Sequence, residues 1–316
     1  MPGTDASEAI AVVLGELPDL PHLPELPARG PGADLIGRTA ALLVDLPVQT
    51  TPRGWRLAPR PGRDLLRAID LMSADLDELE AAASSYSGPF KVQVCGPWTL
   101  AACLELTRSV EPALADPGAV ADLIASLAEG VAAHAAEVRR RLSGVTLIVQ
   151  VDEPSLPAVL AGSVPTASGL RQLPGVDKQV ATEGLAQVIA APGGHTVVHC
   201  CASDVPFDAI ARSGATAVAF DLGQLGRDRE DALGEAVESG LGAFAGTADG
   251  AERATAEAVI DLWRRIGLHA GQLSELVVVT PACGLAGASP TAARSELERC
   301  RRAARLIPEL IEEGVR

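Results

Sequence analysis

Residues 195–210 read HTVVHCCASDVPFDAI and hold two of the five histidines and two of the six cysteines in a chain of 316 residues. Imidazole and thiolate are the donors that zinc prefers, at about 2.0–2.3 Å. On a β-strand the side chains at i and i+2 share a face, so His199 and Cys201 point one way and Cys200 the other. A third thiol, Cys283, follows the run VVVTPA, and Asp221 closes the run AVAFD with a hard oxygen. His199, Cys201, Asp221 and Cys283 therefore form a candidate ligand set for one metal ion. The alternative is packing, because a buried free cysteine is common and inert and an isolated H-x-C is a weak motif. Cys95, Cys103 and Cys300 lack partners at ligand spacing, and Cys300, in the helical stretch SELERCRRAARLI, reads as packing. His22, His134, His195 and His269 fall in expected loops or helices and read as surface or packing residues.

A second signal is VQVDEPSLP, where the adjacent carboxylates Asp152 and Glu153 end a strand just before a proline. Neighbouring strand residues face opposite sides, so only one of the two enters a site on a given face. That one is suited to holding a substrate ammonium, and the other to capping or pairing nearby.

Positioning these groups requires a sheet. β-Branched runs at residues 90–96, 146–154, 196–201, 216–221, 242–249 and 276–284 alternate with Ala-, Leu- and Glu-rich stretches of helical period. Near-continuous apolar strands separated by amphipathic helices imply a parallel sheet covered by helices. No G-x-G-x-x-G follows an early strand, which disfavours an open dinucleotide-binding sheet. Polar residues end nearly every strand, at Cys95, Asp152, His199, Cys201, Asp221, Asp249 and Cys283. A βα barrel gathers such ends around one mouth, so the expected fold is an α/β (β/α)8 TIM barrel forming one domain over residues 1–316. Only six strands are clear. LGELPDLPHLPELPARGPG is too proline-rich for a helix and offers one weak strand ending near Glu25, and residues 39–62 read as a helix end followed by a loop. The barrel is expected to have an incomplete first strand, its gap left open or filled by a neighbouring chain.

The net charge of −15 disfavours nucleic acid and anionic membrane surfaces as partners. The opening MPGTDASEAI has neither a basic nor an apolar segment of a signal peptide, and no apolar run reads as long enough to span a bilayer. The expected location is the cytoplasm, where cysteines are thiols or ligands before they are disulfides.

The strand ends IVQVDEPSL, VVHCCASDV, AVAFD and TPACGL resemble those of the C-terminal catalytic barrel of cobalamin-independent methionine synthase. The wider superfamily includes uroporphyrinogen decarboxylase and the methylcobamide-dependent thiol methyltransferases. CGPWTLAA, residues 95–102, is similar to the family's G-P-x-T strand end, and the likeness runs from about Glu25 onward. The resemblance implies that His199, Cys201 and Cys283 ligate Zn²⁺, and that Asp221 stands where the family has a ligand Glu, one methylene longer. It further implies that Asp152 binds the amino group of homocysteine, with Glu25 as a second substrate-binding carboxylate. The activity implied is zinc-dependent transfer of a methyl group to the homocysteine thiol, a step of methionine biosynthesis. The donor would be methyltetrahydrofolate or a methyl-corrinoid protein, with no catalytic residue beyond the metal site. Three departures stand out: one barrel where full-length relatives have two, a start at MPGTD where the family's first strand ends in G-S-x-P, and Cys103 in place of the Trp that stacks on folate. Two other readings stay open. One is a decarboxylase of the same fold, which uses no metal and needs a cluster of arginines where only Arg29 and Arg38 occur. The other is a non-catalytic metal-binding barrel subunit.

Overall fold

The computed structural model describes residues 1–248 and 250–314, which leaves Asp249, one of the expected strand-end groups, outside the described residues. An antiparallel hairpin pairs β1 (Val48–Thr51) with β2 (Gly54–Leu57). The six β-branched runs become β3 (Gly88–Cys95), β4 (Val145–Asp152), β5 (His195–Cys200), β6 (Ala217–Asp221), β7 (Gly242–Thr247) and β8 (Val277–Pro281). They form one parallel sheet in the order β3-β4-β5-β6-β7-β8. Each strand pairs with its successor and a helical segment lies between, the repeated βα crossover of a barrel wall. His195 opens β5 rather than lying in a loop or helix.

The sheet curls. Inward-facing Val197, Ala217, Ala219 and Phe244 form a small buried cluster on which Ile148 of β4, Val278 of β8 and Leu20 pack. Side chains from β4 and β8 meet there only because the sheet bends toward itself. Its outer face buries the main core, including Phe90, Val92, Val149, Val151, Val198 and Phe220, against the helices. Several crossover helices start on side-chain caps, with Asp116 accepting from Gly118 and Ala119, Asp177 from Gln179 and Val180, and Ser289 from Ala292.

The eight-strand barrel expected from the sequence is not completed. Among the described residues the parallel sheet has six strands, and the weak first strand is reduced to a bridge between His22 and Lys91. Leu23 N–H donates to Lys91 O and Lys91 N–H to Pro21 O, each at 2.9 Å. Prolines at 21 and 24 lack the N–H that a longer ladder needs, so the pairing stops there. The region expected to be loop holds the β1–β2 hairpin instead, and Glu105 joins it as a third line through Glu105 N to Trp55 O and Leu57 N to Glu105 O, both 2.9 Å.

One helix, Pro117–Arg141, is long and apolar enough to cross a membrane by length and composition, contrary to the sequence expectation. Half of its most apolar window is buried inside the protein, and it packs on the helix Lys178–Ala190. Midway along it, a Cβ on Gly130 would lie 2.0 Å from the backbone oxygen of Leu42. Alanine at position 130 gains about 1 kcal/mol of helix propensity, but overpacking against a backbone carbonyl costs about 1–3 kcal/mol. Gly130→Ala should therefore lower the thermal midpoint. An unchanged or raised midpoint would show that the helix can back away from Leu42.

Candidate functional site

The site begins with the pairing of β4 and β5, whose register sets Asp152 opposite His199. His199 Nδ1 lies 2.9 Å from Asp152 Oδ1, and Gln150 Nε2 donates to the same oxygen at 2.6 Å. Asp152 Oδ2 makes no hydrogen bond among the described residues. Burial pulls the His199 imidazole down, but the bond and charge of Asp152 outweigh it and the net direction is upward. A carboxylate on Nδ1 selects the tautomer with the proton there and leaves the Nε2 lone pair for a ligand.

Just past the last β5–β6 pair, Cys200 and Phe220, the chain delivers Cys201 and Asp221 side by side from adjacent strands. The Cys201 and Cys283 thiols lie near enough to bias each other's ionisation. Cys201, more than any other influence, brings the Cys283 thiol down to about 6, and the Gly284 N–H and the His199 charge add to the effect. The neighbouring Cys283 and burial push Cys201 up. Of the two sulfurs, Cys283 is therefore the more readily ionised. Asp221 turns away, its Oδ1 accepting from Gly223 N–H at 2.8 Å.

Among the described residues, no three His, Cys, Asp or Glu side chains are gathered closely enough to hold a metal ion. The donors stand as two neighbouring pairs, Asp152 hydrogen-bonded to His199, and Cys201 beside Cys283. Their chemistry fits zinc: two sulfurs, one imidazole with Nε2 free, and a carboxylate behind that imidazole. Binding would displace the proton on Cys201, so affinity would rise with pH.

The neighbouring carboxylate does other work. Glu153 faces the helical layer and is fully buried. It accepts from Trp98 N–H and Thr99 N–H at 2.8 Å each and from Thr99 Oγ1 at 2.7 Å. Burial still raises its carboxyl to about 7. Gly96 is required beside it, because a Cβ there would lie 2.3 Å from Glu153 Oε1. The G-P-W-T segment is therefore a latch between the ends of β3 and β4, and Asp152 is the carboxylate that enters the mouth.

Glu25 lies on the same side as Asp152, close enough for the Asp152 charge to add to burial in raising its carboxyl, while the Arg38 and Lys91 charges act the other way. Arg38 Nε is 3.5 Å from Glu25 Oε1. Arg38 also bonds buried Asp75 at 2.5 Å, and Arg29 bonds that carboxylate through two 2.7 Å contacts. Sequence reading passed over Lys91, Gln93 and Gln150. Their signal was polarity at alternate positions of otherwise apolar strands, which places them on the barrel's inner face. His22 and His134 are held neutral by burial, at about 3 and about 4. Cys103, at the end of the helix Pro97–Cys103, lines a cavity of about 180 Å³ together with Arg53, Glu105, Val110 and Thr166 and no aromatic ring.

These thiols should differ in reactivity. In metal-free protein, iodoacetamide at pH 7 should alkylate Cys283 first, with an apparent pKa of about 6, because only a lowered pKa leaves thiolate at that pH. Burial raises the Cys103 thiol, so it should lag behind. Peptide mass mapping across pH 5–9 reads the order, and labelling of Cys103 or Cys201 ahead of Cys283 would contradict the ranking of the thiols.

Among solved structures, a similar chain is titled a putative fructose-1,6-biphosphate aldolase from Coccidioides immitis, with 16% identity, a TM-score of 0.31, and coverage of 76% of this chain and 83% of that one. No curated protein matches the sequence. The family model of the cobalamin-independent synthase catalytic domain matches residues 111–306, a span that takes in Asp152, His199, Cys201, Asp221 and Cys283. Since that match covers more than half of the chain, the chain belongs to the cobalamin-independent synthase catalytic-domain family.

Proposed function

We propose that this protein is a zinc-dependent methyltransferase whose acceptor is the thiol of homocysteine. The observation that carries the reading is the hydrogen bond from His199 to Asp152 beside the paired sulfurs of Cys201 and Cys283. His199 Nε2, Cys201 and Cys283 would hold the metal, leaving the fourth position for substrate as in catalytic zinc sites. Bound zinc supplies a Lewis acid that keeps a thiol ionised near neutral pH. Asp152 orients His199 through Oδ1 and offers Oδ2 to the substrate ammonium, with Glu25 as the second acceptor. Asp221 supports the loop after β6 through Gly223 and is not a direct ligand in this proposal.

For the methyl donor, a methyl-corrinoid is favoured over methyltetrahydrofolate. The cavity at Cys103 offers no aromatic face for a pterin, and stacking of a flat base on such a face is worth about 1–3 kcal/mol, or roughly tenfold to a hundredfold in affinity. The decarboxylase reading is disfavoured because Arg29 and Arg38 are both engaged by Asp75 and are not presented to a polyanionic substrate.

Isolated protein should carry about one zinc per chain, lost in Cys201→Ser and Cys283→Ser and retained in Asp221→Asn. Full zinc occupancy in both cysteine variants would refute the site. Methionine formation from homocysteine should proceed with methylcobalamin and poorly with methyltetrahydrofolate or its polyglutamate. Efficient turnover with the folates and none with methylcobalamin would reject the donor assignment, and zinc without turnover on any donor would favour a metal-binding subunit.

A further inference from the structure

Of the three candidate ligands, Cys283 has the least support from the sheet. β8, which leads into it, pairs with β7 on one side and with no strand on the other among the described residues. An edge strand is held by one ladder only, and Val279 alone of the five β8 residues is buried. Pro281, opposite Thr247, has no N–H with which to extend that ladder. Thr247 makes up the loss. Its hydroxyl donates to Thr280 O at 3.2 Å and its carbonyl accepts from Ala282 N–H at 3.1 Å. The two bonds straddle Pro281 and end one residue before Cys283. Gly246 permits the approach, because a Cβ there would lie 3.0 Å from Ala282 Cα. Thr247 is in turn held from outside the sheet by Arg299, which lies on the helix Pro290–Glu312 and is only 8% exposed. Arg299 Nη2 donates to both the carbonyl and the hydroxyl of Thr247, at 3.2 Å each. Its Nη1 donates at 2.5 Å to Thr255 Oγ1 on the helix Glu252–Arg265, and its Nε at 2.7 Å to Glu296 Oε2. One planar, charged fork therefore ties two outer helices to the end of β7.

We propose that Arg299 and Thr247 are positioning residues that act as one brace: Arg299 fixes Thr247, and Thr247 fixes residues 280–282, so that Cys283 is presented as the second sulfur of the metal site. This rests on the reading of His199, Cys201 and Cys283 as the ligands. Neither residue of the brace touches a reacting atom. Their effect falls on the one ligand that follows an edge strand, and not on His199 and Cys201, which belong to β5 and its end, where strands pair on both sides.

The test titrates the metal-free full chain with cobalt(II), whose thiolate charge-transfer absorption grows with each sulfur bound. Cys283→Ser sets the one-sulfur reference. Thr247→Val keeps the shape of the side chain and deletes its hydroxyl. A second variant, Arg299→Met with Glu296→Leu, removes the buried cation without leaving its carboxylate unpaired, an exchange that folded proteins tolerate. Thermal melts of the metal-free proteins verify folding. Wild type should show the two-sulfur band. Both variants should bind cobalt about tenfold or more weaker, with the band falling toward that of Cys283→Ser, and chelator competition should give the same order for zinc. Arg265→Gln is the control: it breaks the pair with Glu230 at the far end of the helix Glu252–Arg265, and should match wild type in band and affinity. Wild-type band and affinity in either folded variant would overturn the proposal, and Thr247→Val decides alone if the double variant does not fold. A loss shared by Arg265→Gln would also overturn it, as the mark of general loosening. A wild-type spectrum equal to that of Cys283→Ser would instead remove the ligand reading on which the inference stands.

Discussion

The parallel register of β4 against β5 is the constraint from which the site follows. It sets Asp152 opposite His199, and their 2.9 Å contact joins a strand-end carboxylate to a strand-end imidazole. A slip of one residue would turn His199 into the helical layer and present Cys200 to the interior in place of Cys201. Two further bonds carry the register past the strands, Glu153 N–H to His199 O at 2.7 Å and Gly96 N–H to Asp152 O at 2.8 Å. The ends of β3, β4 and β5 are thus locked together at the level where ligand chemistry starts, on rigid strands rather than on loops.

The two faces of β4 divide adjacent carboxylates between different tasks. Glu153 enters the outer layer, where the Trp98 and Thr99 amides and the Thr99 hydroxyl satisfy it. Asp152 enters the inner layer, where the polar side chains of β3, β4 and β5 meet. A buried carboxylate without partners is costly. Each of these has its own donors, which lets one dipeptide act both as latch and as site. The sulfurs divide in a similar way, the exposed Cys283 being drawn toward ionisation and the more enclosed Cys201 away from it.

Much of this was legible in the sequence. The six strands of the sheet lie where β-branched runs place them, and the i, i+2 rule puts His199 and Cys201 on one face. Other features were not, for physical reasons. Residues 39–62 hide a hairpin because β1 and β2 are only four residues each and are stabilised by the distant Glu105. Which of Asp152 and Glu153 faces the mouth depended on register and not on composition. Lys91 looked like an ordinary strand residue until the curvature of the sheet showed that its face is enclosed. Asp221 ends its strand beside Cys201 as expected, yet its carboxylate closes a local turn on Gly223, a competition between loop geometry and ligation that spacing cannot reveal.

The central claim is that one imidazole and two sulfurs at these strand ends form a single zinc site with a place left for a substrate thiol. X-ray absorption at the zinc edge of the loaded protein tests it most directly. The account predicts two sulfur neighbours at about 2.3 Å and nitrogen or oxygen neighbours at about 2.0–2.1 Å, with a third sulfur replacing one light atom when homocysteine is added. A shell of nitrogen and oxygen alone, or one that homocysteine leaves unchanged, would contradict it.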